Sequence, residues 1–517
     1  MKAFSDLWRR NPSACAALVI GLVVLLHMAV IIAAPVEIGP DEAQYWRWSE
    51  KLDFGYYSKP PLVAWVIALP TALFGDAAWA IRISAPVLHG IGAFFLFLLG
   101  KRAFDARTGA WAAAIYLLMP GIWLSSTLIT TDAVLLPTWA MALYFLWRMR
   151  DHPTILNAVL AGASVGLSML GKYAAVYLYS GAILAAFFDR DMRKALLSPA
   201  GIAAAIASLV VLGPNLWWNA ANDFATLSHT ADNANLAGAG FDPLHVFDYL
   251  VDQAVVFGLI TLLVLLAGFG LIVGRKDKET TTRELWLLCF IVPPLVVIMG
   301  QEVMSRAHAN WAASAYPAAC VLMASWLGRG FGGESSRVKA GPFIKAGIAL
   351  NLIVCATFTV AWLVPSLADT LGASSAMKGV RGWKQTTEEI VDRAHQLNAS
   401  VIMVDDRELW HGLDYHGRNL DMPPVRAWQR GPTPRSHAEE VGKLRAGEDG
   451  AILVVSISPG LRMMIREDFA KIEPIGYLDI PITPKRKRHL KLYLASGYHQ
   501  APRTPEFEEK HRHTEED

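Results

Sequence analysis

Long apolar runs separated by short polar loops dominate the first 364 residues of the chain. A run of about 20 apolar residues lets a helix cross the hydrocarbon core of a bilayer. The pattern predicts eleven transmembrane helices, at about residues 16–34, 82–100, 108–124, 132–148, 155–171, 173–188, 198–217, 248–273, 284–300, 310–327 and 343–364. The shorter apolar piece 61–74 suits a helix that lies in the membrane interface.

Beyond residue 364 the pattern becomes typical of a small water-soluble domain. Residues 383–397 have the spacing of an amphipathic helix. Residues 400–404 and 451–456 are apolar enough for short buried strands, and 489–495 alternate as a half-buried strand does. These segments predict a small α/β domain.

The predicted division of the chain therefore has three parts. Residues 1–364 form an all-α polytopic membrane bundle with interfacial helices in its first outer loop. Residues 365–499 form the α/β domain outside the cytoplasm. Residues 500–517 contain almost no large apolar side chain, and we expect them to be disordered.

Composition agrees with a multi-pass membrane protein. Of 517 residues, 54% are hydrophobic and 18% are charged, with a mean hydropathy of +0.33. The net charge of +2 and the scattered basic residues give no indication of nucleic-acid binding. All four cysteines lie in apolar runs, so no disulfide framework or zinc motif is expected.

The basic residues predict the orientation in the bacterial inner membrane. Lys2, Arg9 and Arg10 precede the first apolar run, which places the N-terminus in the cytoplasm. We interpret this run as a retained anchor rather than a cleaved signal peptide. Basic residues also mark each loop that an eleven-helix topology assigns to the cytoplasm. The α/β domain is then expected in the periplasm.

Residues that could carry chemistry collect in the predicted outer loops, where they could converge on one polar cavity. The first loop holds Gly39-Pro40-Asp41-Glu42-Ala43-Gln44-Tyr45-Trp46, then Tyr57 and Lys59-Pro60-Pro61-Leu62. Later loops hold Thr130-Thr131-Asp132, Lys172, Asn215 with Asn219, and Arg306 with His308 and Asn310. Charged groups beside a bilayer are costly, so a functional role is the first hypothesis for them.

Each charged candidate also has a purely structural interpretation. Asp41 could cap or electrostatically favour the helix that begins near Pro40, and Asp132 could simply begin the fourth helix. Lys59 could extend to a lipid headgroup. Lys172 is balanced between the two interpretations, while Arg306 and His308 could be ordinary interface anchors.

Three segments together resemble the family-39 glycosyltransferases of the GT-C superfamily. They are Asp-Glu-Ala-x-Tyr at 41–45, Lys-Pro-Pro-Leu at 59–62 and Thr-Thr-Asp at 130–132. These enzymes are bacterial relatives of dolichyl-phosphate-mannose protein mannosyltransferases, and the lipid A aminoarabinose transferase has a similar layout. Further similar segments are Gly166-Leu167-x-x-Leu170-x-Lys172-Tyr173, Pro214-Asn215-Leu216-Trp217-Trp218-Asn219 and Asn310-Trp311-x-x-x-x-Tyr316-Pro317.

The resemblance implies transfer of a sugar from a polyprenyl-phosphate donor to an acceptor at the periplasmic face of the inner membrane. Such a reaction needs a base for the acceptor hydroxyl and a charge partner for the departing phosphate. By analogy, Asp41 would be the base with Glu42 assisting, and Asp132 would support the acceptor or sugar. The implied phosphate ligands are Lys59, Lys172 and Arg306, and the implied cavity residues are Tyr45, Tyr57, Asn219, His308 and Asn310.

The expected acceptor is lipid A or the lipopolysaccharide core, with protein hydroxyls as the alternative within the same enzyme class. Direct displacement at the anomeric carbon would invert its configuration, whereas a double displacement would need a second carboxylate as nucleophile on the opposite face of the sugar. Since the first outer loop has no Asp-x-Asp, we expect neither an obligatory metal nor another cofactor. A lipid or solute transporter would also bury charges in a many-helix bundle, but its charges belong near the bilayer midplane rather than in outer loops.

Overall fold

The computed structural model describes residues 8, 10–233, 240–272, 278–305, 307–330, 339–370, 372, 374–445, 447–448, 450–457, 463–504 and 506–507. Contacts divide the chain into two compact units. The membrane unit consists of Met1–Ala33 and Leu52–Val360, and the C-terminal unit consists of Ala34–Lys51 and Ala361–Asp517.

The described part of the membrane unit is built from helices. Its α-helices are Pro12–Ala33, Leu62–Phe74, Ala78–Arg82, Ser84–Ala103, Ala106–Leu117, Pro120–Ser125, Thr131–Asp151, Ile155–Gly171, Val176–Phe188, Arg190–Leu196, Pro199–Ala221, Ala225–Asn233, His245–Phe257, Leu259–Ile272, Lys278–Met304, Tyr316–Arg329 and Gly341–Leu363, the last of which continues into the C-terminal unit. Short 3-10 helices cover Tyr173–Ala175 and Ala309–Ala315.

In the part of the chain that the structure describes, all eleven predicted apolar runs fall on helices, but the count of eleven spans is not confirmed. Within the described residues, five helices are long and apolar enough to cross a membrane, or six if one bent pair counts as a single span. Other runs are shorter or interrupted: the run 108–124 contains a helix that ends at Leu117 and a second that begins at Pro120. The piece 61–74 forms the 13-residue helix Leu62–Phe74.

The run 248–273 is not the continuous helix that its composition predicts. It breaks between His245–Phe257 and Leu259–Gly270, and the two parts meet at 113°. Gly258 has φ +95°, a conformation that ends the first helix and that L side chains rarely adopt. A Cβ there would lie 2.0 Å from Oδ1 of Asn351, whose Nδ2 donates to the Phe257 carbonyl at 3.2 Å.

Small residues allow close helix packing in the membrane unit. At Gly162, on helix Ile155–Gly171, a Cβ would lie 1.9 Å from the Ala204 carbonyl oxygen of helix Pro199–Ala221. Membrane helices often meet through such small residues, because lipid supplies little hydrophobic force to press helices together. This packing holds the two helices that carry Lys172 and Asn219 at their ends.

The C-terminal unit contains the predicted small sheet, in the order β2-β1-β3-β5-β4. Its strands are β1 (Val401–Val404), β2 (Val425–Ala427), β3 (Ile452–Ser456), β4 (Phe469–Thr483) and β5 (Arg486–Tyr498). β1 runs parallel to β2 and β3, whereas β5 is antiparallel to β3 and β4. The described α-helices of this unit are Pro40–Ser49, Pro365–Thr370, Trp383–Gln396, Arg407–His416, His437–Gly442 and Met463–Glu467.

The segment 34–51 belongs to the C-terminal unit, whereas the predicted domain division placed it in the membrane bundle. Helix Pro40–Ser49 packs within the C-terminal unit, where Trp46 contacts Tyr415 with ring centroids 5.1 Å apart. Trp48 contacts His437 at 5.6 Å, and both tryptophans are buried. The burial of these two large rings explains why the segment belongs to this unit.

The predicted disordered tail, 500–517, is only partly covered by the structure. Residues 505 and 508–517 lie outside the described residues. In the covered part, Arg503 Nη2 lies 2.6 Å from Asp468 Oδ2, and both side chains are almost fully buried. This stretch therefore packs on the sheet rather than beginning a disordered tail.

Candidate active site

Asp132 is the centre of a polar cluster in the membrane unit. Lys172 Nζ donates to Asp132 Oδ1 at 2.8 Å, and Asn310 Nδ2 donates to Asp132 Oδ2. The Asp132 side chain is only 8% exposed and that of Lys172 18%. Lys172 is 40 positions and Asn310 is 178 positions from Asp132 along the chain, yet both contact its carboxylate. Residues of three predicted outer loops therefore meet here.

The local structure shows that Asp132 is not the helix cap. Thr130 occupies the N-cap position of helix Thr131–Asp151, and its Oγ1 accepts from the Ala133 amide at 3.4 Å. Asp132 lies in the first turn, where the helix dipole favours a negative charge. Because Thr130 provides the cap, both carboxylate oxygens of Asp132 are available to Lys172 and Asn310.

Lys172 is held at a break between two helices. It follows Ile155–Gly171 in an extended conformation, and the 3-10 turn Tyr173–Ala175 begins directly after it. The Tyr173 hydroxyl donates to Asn215 Oδ1 at 2.8 Å and accepts from Asn219 Nδ2 at 3.0 Å. This network holds the turn directly after Lys172, and the hydrogen bond to Asp132 positions the ammonium group.

The Asp132 cluster lies beside a cavity of about 510 Å³ in the membrane unit. Most of its wall is apolar, and polar groups come from a few side chains. The lining residues are Met119, Pro120, Gly121, Trp123, Leu124, Ser125, Leu128, Thr130, Asp132, Leu136, Val255, Val256, His308, Ala309, Asn310, Ala313, Val354, Cys355 and Phe358. An apolar cavity with a few converging polar groups has the character of a ligand site.

Asp41, in the C-terminal unit, has a different environment. Its side chain is 61% exposed, and Oδ1 lies 3.0 Å from Arg407 Nη1. The same guanidinium nitrogen donates to Gln44 Oε1 at 3.1 Å. Although burial favours the neutral guanidine, the charge of Asp41 and the hydrogen bond to it raise the pKa of Arg407 above its ordinary value. Asp41 is therefore paired with a permanently charged group.

Glu42, next to Asp41, takes the capping role that the sequence suggested for Asp41. Glu42 Oε2 accepts from the Gly39 amide at 3.3 Å, and Gly39 is the N-cap of helix Pro40–Ser49. The Glu42 side chain is buried. Since this carboxylate satisfies an otherwise unpaired amide at the helix start, Asp41 is left to face Arg407.

Comparisons with known proteins show the family to which the chain belongs. The family model for dolichyl-phosphate-mannose-protein mannosyltransferase matches residues 58–218. The lipid A galacturonosyltransferase RgtD of Rhizobium johnstonii is 32% identical over 420 residues, which cover 80% of this chain and 85% of RgtD. The chain belongs to this family of GT-C glycosyltransferases.

Two further relatives support the family assignment and the fold. The lipopolysaccharide core galacturonosyltransferase RgtA of the same organism is 25% identical over 230 residues, or 43% of this chain and 46% of RgtA. The crystal structure of ArnT from Cupriavidus metallidurans bound to undecaprenyl phosphate matches 92% of this chain and 97% of its own, with a TM-score of 0.64 at 15% identity. The sequence-based predictions of a GT-C glycosyltransferase and of a multi-pass membrane protein are confirmed.

The structure places the other predicted site residues of this glycosyltransferase in several environments. His308 lines the cavity, whereas Asn219 is fully buried in the Tyr173 network and is not part of the lining. Tyr57 lies in the membrane unit with its ring 5.6 Å from that of His229, and Lys59 is half-buried there. Tyr45 is buried in the C-terminal unit, 5.4 Å from the Trp48 ring. Arg306 lies outside the described residues.

Sequence reasoning missed Arg407 as a site candidate. It lies 366 residues from Asp41 along the chain, at the start of helix Arg407–His416, and no short motif marks it. Asp406 immediately before it caps that helix by accepting from the Glu408 and Leu409 amides. Only the packing of helix Pro40–Ser49 against helix Arg407–His416 identifies Arg407 as the partner of Asp41.

The prediction of no obligatory metal stays a prediction. Among the described residues, no group of three His, Cys, Asp or Glu side chains is placed to hold a metal ion. Asp132, the carboxylate beside the cavity, has Lys172 as its charge partner.

Proposed function

We propose that this glycosyltransferase moves a sugar from a polyprenyl-phosphate donor to lipid A or the lipopolysaccharide core. We further propose a uronic acid as the sugar, because the names of RgtD and RgtA identify both as galacturonosyltransferases. The reaction takes place at the periplasmic face of the bacterial inner membrane, with the N-terminus in the cytoplasm. The basic loops that the sequence assigns to the cytoplasm support this orientation.

The observation that carries the proposal is the Asp132 cluster beside the apolar cavity. A polyprenyl phosphate needs an apolar environment for its isoprenoid chain and cationic or donor groups at its head. The cavity has mostly apolar walls with Asp132, His308 and Asn310 among its polar lining residues, and Lys172, which is not part of the lining, lies 2.8 Å from Asp132. A soluble, fully polar donor would gain little from such walls.

The charged residues have different roles in the proposed reaction. Lys172, Lys59 and Arg306 stabilise the negative charge of the departing phosphate as point charges. Asp132 orients Lys172 and accepts from Asn310, and it supports the sugar or acceptor at the same place. His308 contributes to the polar part of the cavity.

Asp41 is the base that takes the proton from the acceptor hydroxyl. Its exposed carboxylate can reach a large amphiphilic acceptor, and Arg407 orients it. Glu42 assists by forming the helix start that holds Asp41, and Tyr45 packs against Trp48 on the same helix. Tyr57 and Asn219 act by shaping the membrane unit near Lys59 and Lys172. Direct attack on the anomeric carbon then inverts its configuration.

The test compares envelope components from cells with and without this chain. Mass spectrometry of lipid A, core oligosaccharide and envelope proteins should show loss of one uronic acid from lipid A or core. Purified protein should restore that mass when supplied with polyprenyl-phosphate galacturonate and the unmodified acceptor. If a different sugar were lost from lipid A or core, the proposed donor sugar would be wrong and the proposed acceptor would stand.

Protein O-mannosylation is the alternative that the same experiment separates. The description of the matching family model favours it, although that model covers only residues 58–218. If a hexose disappeared from envelope proteins while lipid A and core were unchanged, the lipopolysaccharide proposal would be wrong. The transporter alternative is set aside, because the chain is a glycosyltransferase.

A further inference from the structure

The end of the β4–β5 hairpin is unusually basic. From Pro484 to Lys491 the chain contains Lys485, Arg486, Lys487, Arg488 and Lys491 and no acidic residue. The turn between the strands is Pro484-Lys485, and the side chains of Lys485, Arg486 and Lys487 are exposed. We call residues 484–487 the hairpin tip.

The nearest acidic side chain does not neutralise the hairpin tip. Asp479, on β4, accepts from His489 at 2.8 Å and lies 3.7 Å from Lys487 Nζ. Lys485 and Arg486 have no ion pair with any described residue. The tip therefore presents at least two unneutralised cations to its surroundings, and Lys487 shares one exposed carboxylate with His489.

Arg488 has a separate, structural role that anchors the hairpin. It is buried over the Trp383 ring, with its guanidinium carbon 3.6 Å from the ring centroid. Its Nη1 donates to the Gly382 carbonyl at 3.0 Å, and its Nη2 donates to the Arg381 carbonyl at 3.4 Å. The basic end of the hairpin is thus fixed to residues 381–383.

Residues 381–383 are in turn tied to the point where the chain leaves its last apolar helix. That helix, Gly341–Leu363, has 23 residues and is about 35 Å long, so its end lies near the headgroups of a hydrocarbon core about 30 Å thick. Two residues later the Pro365 carbonyl accepts from Arg381 Nη2 at 2.6 Å, and Asp369 lies 2.8 Å from Arg381 Nη1.

These contacts connect the C-terminal end of that helix to Arg488, next to the hairpin tip. Arg486 is two residues from the anchored Arg488 on the same strand, a distance of about 7 Å. Electrostatic attraction to an anionic surface acts over about 10 Å at ordinary salt. Tyr477, on β4, is 63% exposed and adds the kind of amphipathic ring that membrane interfaces favour.

We propose that the hairpin tip binds anionic phospholipid headgroups of the bilayer through Lys485, Arg486 and Lys487. The contact is peripheral and electrostatic, because the tip carries charge and no large apolar side chain that could insert. It would hold the C-terminal unit close to the membrane surface. The proposal does not depend on which sugar or acceptor the enzyme uses.

The test uses the full chain in lipid nanodiscs, with a fluorophore attached to Pro484→Cys. The four native cysteines are buried, so labelling is directed to the introduced thiol. A trace of phosphatidylcholine with a nitroxide on its headgroup quenches the fluorophore when the tip approaches the surface. Quenching should rise as phosphatidylglycerol replaces phosphatidylcholine, and it should fall at high salt.

A variant without the charges of the hairpin tip is compared with a variant that loses the same charge elsewhere in the C-terminal unit. Lys485→Gln, Arg486→Gln and Lys487→Gln together should lower the phosphatidylglycerol-dependent quenching by at least about fivefold, the effect expected of even one cation near an anionic surface. The control variant combines Lys443→Gln, Arg445→Gln and Lys471→Gln, which removes the same charge from exposed positions elsewhere in this unit. It should behave as the unmodified protein.

Two results would overturn the proposal. One is quenching that is unaffected by phosphatidylglycerol, since the tip would then have no attraction to anionic lipid. The other is quenching that rises when lipid A is added to neutral discs but does not respond to phosphatidylglycerol at equal charge. The tip would then bind acceptor phosphates instead of the bilayer.

Discussion

Two ion pairs of this glycosyltransferase each join an aspartate to a basic side chain, but they differ in solvent exposure. Asp132 and Lys172, in the membrane unit, are 8% and 18% exposed, whereas Asp41 and Arg407, in the C-terminal unit, are 61% and 44% exposed. Breaking a buried pair leaves a charge without compensation and costs about 3–5 kcal/mol. An exposed pair contributes only about 0–1 kcal/mol. The same type of substitution should therefore lower stability at the buried pair and leave stability nearly unchanged at the exposed pair.

The largest effect on activity is expected from Asp41→Asn. The substitution keeps the size of the side chain but removes the basic oxygen, so transfer should fall by about 10²–10⁴-fold, as for loss of a general base. Expression, thermal unfolding and donor binding should change little, because the side chain is exposed and Glu42 provides the cap contact. Transfer rates of purified variants with a polyprenyl-phosphate sugar provide the measurement. A rate within a few-fold of the unmodified enzyme would remove Asp41 from the chemistry.

At the buried pair, Lys172→Met should lower stability, besides removing a proposed phosphate ligand. Asp132 would keep its contact with Asn310 but lose its charge partner, so we expect a loss of about 3–5 kcal/mol in the free energy of unfolding. Thermal unfolding in detergent measures this loss. Adding Asp132→Asn should recover part of the stability, since the double variant contains no uncompensated charge. If the single and double variants unfold at the same temperature, the pair is not energetically coupled.

A smaller effect is expected at Lys59. Lys59→Ala should weaken donor binding by roughly 10–100-fold, which corresponds to loss of a charged hydrogen bond worth about 1.5–3 kcal/mol. Lys59→Arg keeps the positive charge and should lose less. Titration of each variant with polyprenyl phosphate measures the dissociation constant. Equal donor binding by both variants and the unmodified enzyme would show that Lys59 only contacts lipid headgroups.

The smallest effect is expected from Arg407→Gln, which retains a donor but removes the charge beside Asp41. Stability should change by at most about 1 kcal/mol, and kcat should fall by roughly tenfold through poorer orientation of the base. Arg407→Lys should restore part of kcat, because an ammonium group can still pair with Asp41. A positioning role predicts a change in kcat with KM for the donor unchanged. A loss of donor affinity instead would place Arg407 in donor binding.

Many of the helices and strands of this protein, and its family, could be predicted from local sequence. Apolar runs predicted the membrane helices and the strands that became β1 and β3. Amphipathic spacing predicted the helix 383–397, and an alternating pattern predicted part of β5. The motifs around Asp41, Lys59 and Asp132 were sufficient to indicate the GT-C family, which the similarity to RgtD confirms. These features depend on residues that are close together in the chain, so their periodicity and turn chemistry can be read directly from the sequence.

Tertiary structure decided the features that depend on distant residues. Asn310 and Arg407 reach their carboxylates from 178 and 366 residues away, and local periodicity contains no information about such contacts. The break at Gly258 required a positive φ next to Asn351, although the composition of the run suits a continuous helix. The segment 34–51 belongs to the C-terminal unit because Trp46 and Trp48 are buried there by side chains that arrive much later in the chain. In each case the deciding energy is a packing or pairing term between remote residues, which exists only once the chain has folded.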